Sequence, residues 1–165
     1  MGNNRKITIY SDGGARGNPG PAGIGVVIKM LPVTSKNAQQ LPVTISKSIG
    51  PATNNQAEYR AVIEALKWIK ENLANQPNRL NPAPGAGPDG LKDLEIECFL
   101  DSELIVEQLN QRYKLKNEGL KPLFWEIRDL VMALGGKVTF KYIPREQNKE
   151  ADKLVNIAID REGKK

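Results

Sequence analysis

Four acidic residues lie where a charged side chain is unusual. Asp12 and Asp101 each follow a short run of alternating apolar residues, which predicts a β-strand that ends at the acid. Glu58 and Asp152 each precede apolar residues at helical spacing, which would turn their carboxylates toward a core. A carboxylate that faces a core is costly unless it is paired or bound to a metal.

Each acid also has an ordinary structural explanation when it is taken alone. Asp12 could start a turn, and Asp101 could support Ser102 at the N-terminus of a helix. Glu58 and Asp152 lie near the predicted starts of helices, where acidic residues are common. Two strand ends and two inward helix faces could nevertheless converge, and carboxylates that converge without His or Cys would select Mg²⁺ or Mn²⁺.

The composition restricts the available chemistry. The sequence has no histidine and one cysteine, Cys98, which excludes Ser-His-Asp and Cys-His catalysis, His- or Cys-based metal sites and an internal disulfide. Catalysis at neutral pH would therefore use carboxylates, lysine, tyrosine or a metal held by oxygen ligands. The formal net charge of +5 slightly favours a polyanionic partner.

The length and composition are typical of one globular domain. The chain has 165 residues, 39% apolar and 26% charged, so we expect a single domain over residues 1–165. No apolar run reaches the roughly 18 residues that span a membrane, and the first residues do not resemble a signal peptide. We therefore expect a reducing, cytoplasmic location and no membrane partner.

Hydrophobic periodicity predicts an α/β fold in the order β-β-β-α-β-α-α-β-α, with one mixed sheet and helices on its faces. The predicted strands cover residues 7–12, 24–30, 43–49, 94–100 and 138–143. The predicted helices cover residues 54–73, 103–109, 120–134 and 149–160. Thr53 and Gln56 form a capping box, and Ser102 and Asn148 are expected N-caps. Gly- and Pro-rich loops are expected at 13–23 and, as an insertion, at about 75–93.

Four separated motifs carry a resemblance to a known family. They are Tyr10-Ser11-Asp12-Gly13-Gly14 with Asn18, Thr53-Asn54-Asn55-Gln56-Ala57-Glu58, Asp101-Ser102, and Asn148-Lys149-Glu150-Ala151-Asp152. In this order they resemble type 1 ribonuclease H over nearly the whole chain. The resemblance implies a ribonuclease H-like fold, with a five-stranded mixed sheet in the order 3-2-1-4-5 flanked by helices. It also implies endonucleolytic hydrolysis of the RNA strand of RNA–DNA hybrids.

The resemblance also implies a metal site. In the family, the carboxylates that correspond to Asp12, Glu58, Asp101 and Asp152 hold two Mg²⁺ ions, with Mn²⁺ as an alternative. By motif position, Asp12 is the shared ligand and Glu58 holds the leaving-group side. The chemistry agrees, because two cations roughly 4 Å apart can activate a water and stabilise the leaving oxygen. The products would carry 5′-phosphate and 3′-hydroxyl ends.

Substrate contacts are expected from the loop after the first strand and from the start of the first helix. The expected residues are Gly13, Gly14, Asn18, Thr53, Asn54, Asn55 and Gln56. The amides of Asn54 and Asn55 suit the ribose 2′-hydroxyl, which can donate and accept. Thr53 matches a position that grips a DNA phosphate, although its capping role alone would explain it. Further phosphate contacts could come from Arg16, Lys114 and Lys116, which could equally be solvated surface residues.

Two features depart from many bacterial family members. Arg145 stands where those members place a mobile histidine, which resembles an archaeal-type subgroup. Arginine stays protonated and cannot be a general base, so it would act on a phosphate electrostatically. The alternative is an ion pair with Glu146 or Glu150. In addition, the short segment 114–119 leaves no room for the extra basic helix of some members.

Two other functions compete with a ribonuclease H. One is a transposase-like or Holliday-junction nuclease, but the asparagine pair at Asn54 and Asn55 has no evident use on DNA. The other is a non-catalytic module that binds hybrids, but four mutually repelling carboxylates would not help a protein to bind a polyanion. We expect a monomer without an obligate protein partner.

Overall fold

A computed structural model describes residues 5–31, 42–74 and 94–163. The strands are β1 (Arg5–Ala15), β2 (Gly20–Leu31), β3 (Val43–Ala52), β4 (Leu94–Leu100) and β5 (Val138–Tyr142). The helices are α1 (Asn54–Ile69), α2 (Glu103–Leu109), α3 (Lys121–Ala133) and α4 (Lys149–Gly163). A π-helical turn, Lys70–Ala74, extends α1, and a 3₁₀ turn, Arg145–Gln147, precedes α4. The insertion expected at about 75–93 lies outside the described residues.

The five strands form one mixed sheet in the order β3-β2-β1-β4-β5. β1 pairs antiparallel with β2, and β2 pairs antiparallel with β3. β4 runs parallel to both β1 and β5. This arrangement confirms the predicted fold class and strand order. It also confirms that β1 and β4, the strands associated with Asp12 and Asp101, are neighbours.

Helices cover the two faces of the sheet. Ile7 and Ile9 of β1 and Ile96 of β4 are buried in the same core cluster as the apolar face of α1. α3 packs against α1, whereas α4 packs on β2 and β3 from the other face. No helix in the described ranges is long and apolar enough to cross a lipid bilayer.

Two glycines allow helices to approach the sheet closely. A Cβ added to Gly13 would collide with the backbone of Ala57 in α1, and one added to Gly25 would collide with the carbonyl oxygen of Ala151 in α4. Gly25 pairs with Asp12 across the β1–β2 ladder, so both helices contact the sheet next to this acid. The close approach therefore sets how near the helical acids can come to Asp12.

The first strand is longer than its sequence pattern predicted. The β1–β2 ladder continues through Gly13 and Gly14 to the pair Ala15–Ala22, whereas the parallel pairing of β1 with β4 ends at Tyr10. The prediction of a strand end at Asp12 and a loop over 13–23 was therefore wrong. The strand continues through the two glycines because its antiparallel partner β2 supplies the hydrogen bonds. The last helix is also longer than expected and ends at Gly163.

Two of the three predicted helix caps are confirmed. Thr53 Oγ1 accepts the amide of Gln56 at 3.1 Å, and Gln56 Oε1 accepts the amide of Thr53 at 2.9 Å. Ser102 Oγ accepts the amide of Ile105 at 3.4 Å. The prediction of Asn148 as a side-chain cap was wrong. Its side-chain Nδ2 donates to Ser11 O and to Asp101 Oδ2, both remote in sequence.

Replacing Gly25 with alanine should destabilise the fold, because the added methyl group would collide with the Ala151 carbonyl and push α4 from the sheet. We expect the free energy of unfolding to fall by about 1–3 kcal/mol, as in other overpacked cores. Gly14→Ala is the matched control, since its added Cβ would lie 3.6 Å from Val155 Cγ1, an ordinary contact. Equal melting temperatures for the two variants would contradict the close packing.

Candidate active site

Three carboxylates from separate elements meet in the structure. Asp12, Glu58 and Asp101 each offer an oxygen atom, and these oxygens all lie within 4.8 Å of one another. Asp12 belongs to β1, Glu58 lies near the start of α1, and Asp101 directly follows β4. The capping box fixes the start of α1, and the parallel β1–β4 pair fixes the relative position of the two aspartates.

The fourth acid stands on the wall of the same cleft. Asp152 lies on the face of α4 that carries Val155 and Ile159, and all three line a cleft of about 310 Å³ together with Asp12 and Glu58. The negative charge of Asp152 also contributes to the raised pKa of Asp12. The structure thus brings the four predicted acids to one place, three in a tight cluster and Asp152 beside it.

The cluster is strongly desolvated. Asp12 and Glu58 are only 4% and 8% exposed. Burial raises the pKa of Asp12 to about 7, and the charges of Asp101 and Asp152 add to this rise. Burial also raises the pKa of Glu58 well above its usual value, with further contributions from Asp12 and Asp101. A hydrogen bond between the two carboxyl groups lowers the pKa of Asp12 and raises that of Glu58.

The acidic cluster fits a divalent cation that prefers oxygen ligands. Glu58 Oε2 is buried and has no hydrogen-bond partner among the described residues. A buried carboxylate oxygen without a partner is costly, and a cation would satisfy it. Asp12 keeps one internal donor, since its Oδ1 accepts the amide of Gly13 at 3.0 Å. A ligand set of carboxylate oxygens alone suits hard cations such as Mg²⁺ or Mn²⁺.

A hydrogen-bonded turn forms one side of the cleft. Asn54 Oδ1 accepts the amide of Ala15 at 2.9 Å, and the amide of Asn54 donates to Asn18 Oδ1 at 3.0 Å. These bonds join the end of β1 and the following turn to the first residue of α1. Gly13, Gly14 and Asn54 line the cleft, whereas Asn18 supports Asn54 from the turn.

The other expected substrate residues lie in the first turn of α1, beside the cleft rather than in its lining. Thr53 and Gln56 use their side-chain oxygens in the capping box. Gln56 Nε2 lies next to Gly119, in the segment before α3. Asn55 is half-buried. Lys114 and Lys116 are exposed and are not among the residues that line the cleft.

Arg145 faces the acidic cluster. It is exposed and lines the cleft, and its positive charge lowers the pKa of Glu58 against the larger effect of burial. Within residues 94–163, which the structure describes, no ion pair joins it to Glu146 or Glu150. The geometry therefore favours an electrostatic interaction with the site over the alternative ion pair.

Two asparagines at the site were not predicted from the sequence. Asn148 donates to Asp101 Oδ2 at 2.9 Å, and its place in the last motif was the only signal that could have found it. Asn156 also lines the cleft, and its Oδ1 accepts from Arg16 Nη2 at 3.4 Å. Arg16 also forms an ion pair with Asp160 at 2.6 Å, so its guanidinium is held against α4.

Comparisons with known proteins agree with this fold and cleft. Residues 86–158 match a protein family described as reverse transcriptase-like. A ribonuclease H of Ruthia magnifica subsp. Calyptogena magnifica is 30% identical in an alignment of 172 positions. The alignment covers 94% of this chain and 97% of that protein. A bifunctional protein of Mycobacterium tuberculosis is 33% identical over 155 residues, or 94% of this chain. The chain spans only 36% of the length of this mycobacterial relative.

Solved structures of ribonucleases H also resemble this chain. LC11-RNase H1, isolated from compost by a metagenomic approach, is 45% identical with a TM-score of 0.74, covering 94% of this chain and 96% of that one. LC11-RNase H1 in complex with an RNA/DNA hybrid also has a TM-score of 0.74, with 42% identity over 94% of this chain and 97% of that one. The fold of this chain is thus ribonuclease H-like, with a cluster of acids at its cleft. The chain belongs to the type 1 ribonuclease H family, as its motifs predicted.

The metal-free protein should lose stability as the pH rises toward neutrality. Folding raises the pKa of Asp12 from 3.8 to about 7, so the folded state retains a proton that the unfolded state releases. The stabilisation by this proton is complete below pH 3.8 and is lost as the pH rises through about 7. Asp12→Asn removes the titration. In EDTA, its melting temperature should match that of the wild type near pH 4 and exceed it by a few degrees at pH 7.

Asp129→Asn is the control, because Asp129 is exposed on α3 and does not line the cleft. Its melting temperature should follow that of the wild type across the pH range. An Asp12→Asn protein that is less stable than the wild type at pH 7 would mean that Asp12 is mainly structural.

Proposed function

We propose that the chain is an endoribonuclease H that hydrolyses the RNA strand of RNA–DNA hybrids and leaves 5′-phosphate and 3′-hydroxyl ends. The observation that carries this proposal is the cluster of Asp12, Glu58 and Asp101, with a buried Glu58 oxygen that lacks a partner in the described residues. The hybrid complex of LC11-RNase H1, whose similarity covers 94% of this chain, supports the substrate class.

The cofactor in this proposal is a pair of Mg²⁺ ions, with Mn²⁺ as an alternative. Asp12, Glu58, Asp101 and Asp152 would hold them, and Asp12 would be the shared ligand, as its position in the first motif implies. When bound, the ions would activate the attacking water and stabilise the leaving 3′ oxygen. The protein supplies four carboxylates on rigid elements, whose mutual repulsion two cations would relieve.

The substrate-binding residues in this proposal surround the acids. Gly13 and Gly14 line the cleft and would contact the RNA strand, with the open position at Gly14, because Gly13 is packed against α1. The Asn18–Asn54 hydrogen bond holds the neighbouring turn in place. Asn54, Asn55 and Gln56 would read the ribose 2′-hydroxyl from the first turn of α1. Thr53 would contact a phosphate of the DNA strand, and its capping bond would keep the side chain oriented.

Arg145 is assigned an electrostatic role. A guanidinium group is not a general base. Its position at the cleft, opposite buried Glu58, would let it steady a phosphate or a departing product. An arginine at this place is the feature on which we assign the chain to an archaeal-type subgroup of the family. We further propose that residues 1–165 act as a single, monomeric, cytoplasmic domain without an obligate protein partner.

Wild-type protein should cleave labelled RNA–DNA hybrid with Mg²⁺ and should lose this activity in EDTA. Asp12→Asn should abolish most cleavage, because it removes the shared ligand charge, whereas Asp129→Asn should remain active. Gel analysis of hybrid, duplex DNA and duplex RNA distinguishes the competing functions. Cleavage of duplex DNA would indicate another nuclease of this fold, and hybrid binding without cleavage would indicate a binding module.

Substitution of Arg145 tests its charge. Arg145→Lys should retain more hybrid cleavage than Arg145→Ala, because lysine keeps the positive charge near the cleft. Neither variant should add a pKa to the pH–rate profile, since arginine does not titrate in this range. Steady-state kinetics give both results. Wild-type kcat and KM in Arg145→Ala would show that the residue takes no part in the reaction.

A further inference from the structure

Asn148 connects three of the elements that carry the acids. Its backbone oxygen accepts the amide of Asp152 at 3.1 Å, in the first turn of α4. Its side-chain nitrogen donates to Asp101 Oδ2 and to Ser11 O, both at 2.9 Å. Ser11 O belongs to the peptide that joins Ser11 to Asp12, so this one residue contacts the surroundings of three carboxylates.

The orientation of the Asn148 amide follows from the groups that it faces. Ser11 O and Asp101 Oδ2 are both acceptors, so only the amino end of the amide can meet them. Asn148 Oδ1 is then left buried without a hydrogen-bond partner in the described part of the chain, and the residue is 1% exposed. An asparagine at the start of a helix ordinarily uses this oxygen as a cap. Here the side-chain nitrogen instead donates to Ser11 O and Asp101 Oδ2, and Asn148 Oδ1 is left without a partner in the described residues, which is energetically costly.

Asp101 needs such a partner. It follows the last residue of β4, where pairing with β5 ends at Leu100, and its side chain is half-buried beside Asp12 and Glu58. Repulsion from these neighbours would favour rotation of its carboxylate toward water. The neutral Asn148 amide opposes this rotation by a hydrogen bond. It also leaves the negative charge of the cluster intact, which a lysine at this position would not do.

We propose that Asn148 is a positioning residue that holds Asp101 and the β1 backbone in the arrangement that binds the divalent cations. The inference rests on the proposed metal-dependent function and extends it from the four acids to the amide that orients one of them. It assigns to Asn148 a role in metal affinity rather than in helix capping. Partners that orient metal ligands typically change metal affinity by about 10–100-fold when they are removed.

Calorimetric titration of the hybrid-free protein with Mg²⁺ tests this role. Asn148→Ala should weaken Mg²⁺ binding by about 10–100-fold. Asn148→Ser keeps one donor and should lie between the wild type and Asn148→Ala. Raising Mg²⁺ should restore much of the kcat of Asn148→Ala on hybrid, because Asp101 itself is still present.

Asn110→Ala is the matched control. Asn110 Nδ2 donates to Phe140 O at 3.0 Å and joins the end of α2 to β5, and it does not line the cleft. This variant should lower the melting temperature in EDTA but leave the Mg²⁺ affinity unchanged. An equal loss of Mg²⁺ affinity in Asn110→Ala would overturn the proposal, since general destabilisation would then explain the effect.

Unchanged Mg²⁺ affinity in a folded Asn148→Ala protein would also overturn it. If that variant fails to fold, Asn148→Ser decides the question by the same measurement, since the serine hydroxyl still donates to one acceptor. Failure of the wild type to bind Mg²⁺ or to cleave hybrid would instead refute the proposed function. Normal wild-type binding and cleavage, with no effect of the Asn148 substitutions, would refute only the positioning role.

Discussion

Repulsion among buried carboxylates is the constraint that the rest of this structure satisfies. Two unit charges 4 Å apart repel by about 4 kcal/mol at an effective dielectric near 20. Asp12, Glu58 and Asp101 are brought within 4.8 Å of one another, and two of them are almost fully buried. Burial and this repulsion both raise the pKa values of Asp12 and Glu58, so that protonation would relieve part of the repulsion without metal. The protein thus holds in place an arrangement that bound cations would stabilise.

The sheet and its helices make this arrangement rigid. The parallel β1–β4 pair places two of the aspartates at the same part of the sheet, and the antiparallel β1–β2 pair extends β1 beyond Asp12. The glycines at 13 and 25 let α1 and α4 contact the sheet where a side chain would separate them. Because Glu58 and Asp152 belong to those helices, the distance between helix and sheet also determines the distance between acids.

The acids have hydrogen-bond donors on the side that faces the protein interior and an open cleft on the side that faces solvent. The amides of Gly13 and Asn148 donate to the aspartates from within the fold. Arg145 brings a positive charge from the exposed side, and Asn54 borders the opening with its oxygen bonded to Ala15. This separation is suited to the proposed reaction, because buried donors orient the carboxylates while the exposed side remains free for a polyanion.

The sequence alone determined the features that depend on local pattern. Alternating and helical periodicities predicted the five strands and four helices, and the spacing of Thr53 and Gln56 predicted the capping box, because both signals involve residues a few positions apart. The order of the motifs identified the family. Tertiary structure decided the extension of β1 to Ala15, which depends on pairing with β2, and the pKa of Asp12, which depends on burial. It also decided that the Asn148 side chain donates a hydrogen bond to Asp101 instead of capping its own helix, because its partners lie as far as 137 positions away in the chain.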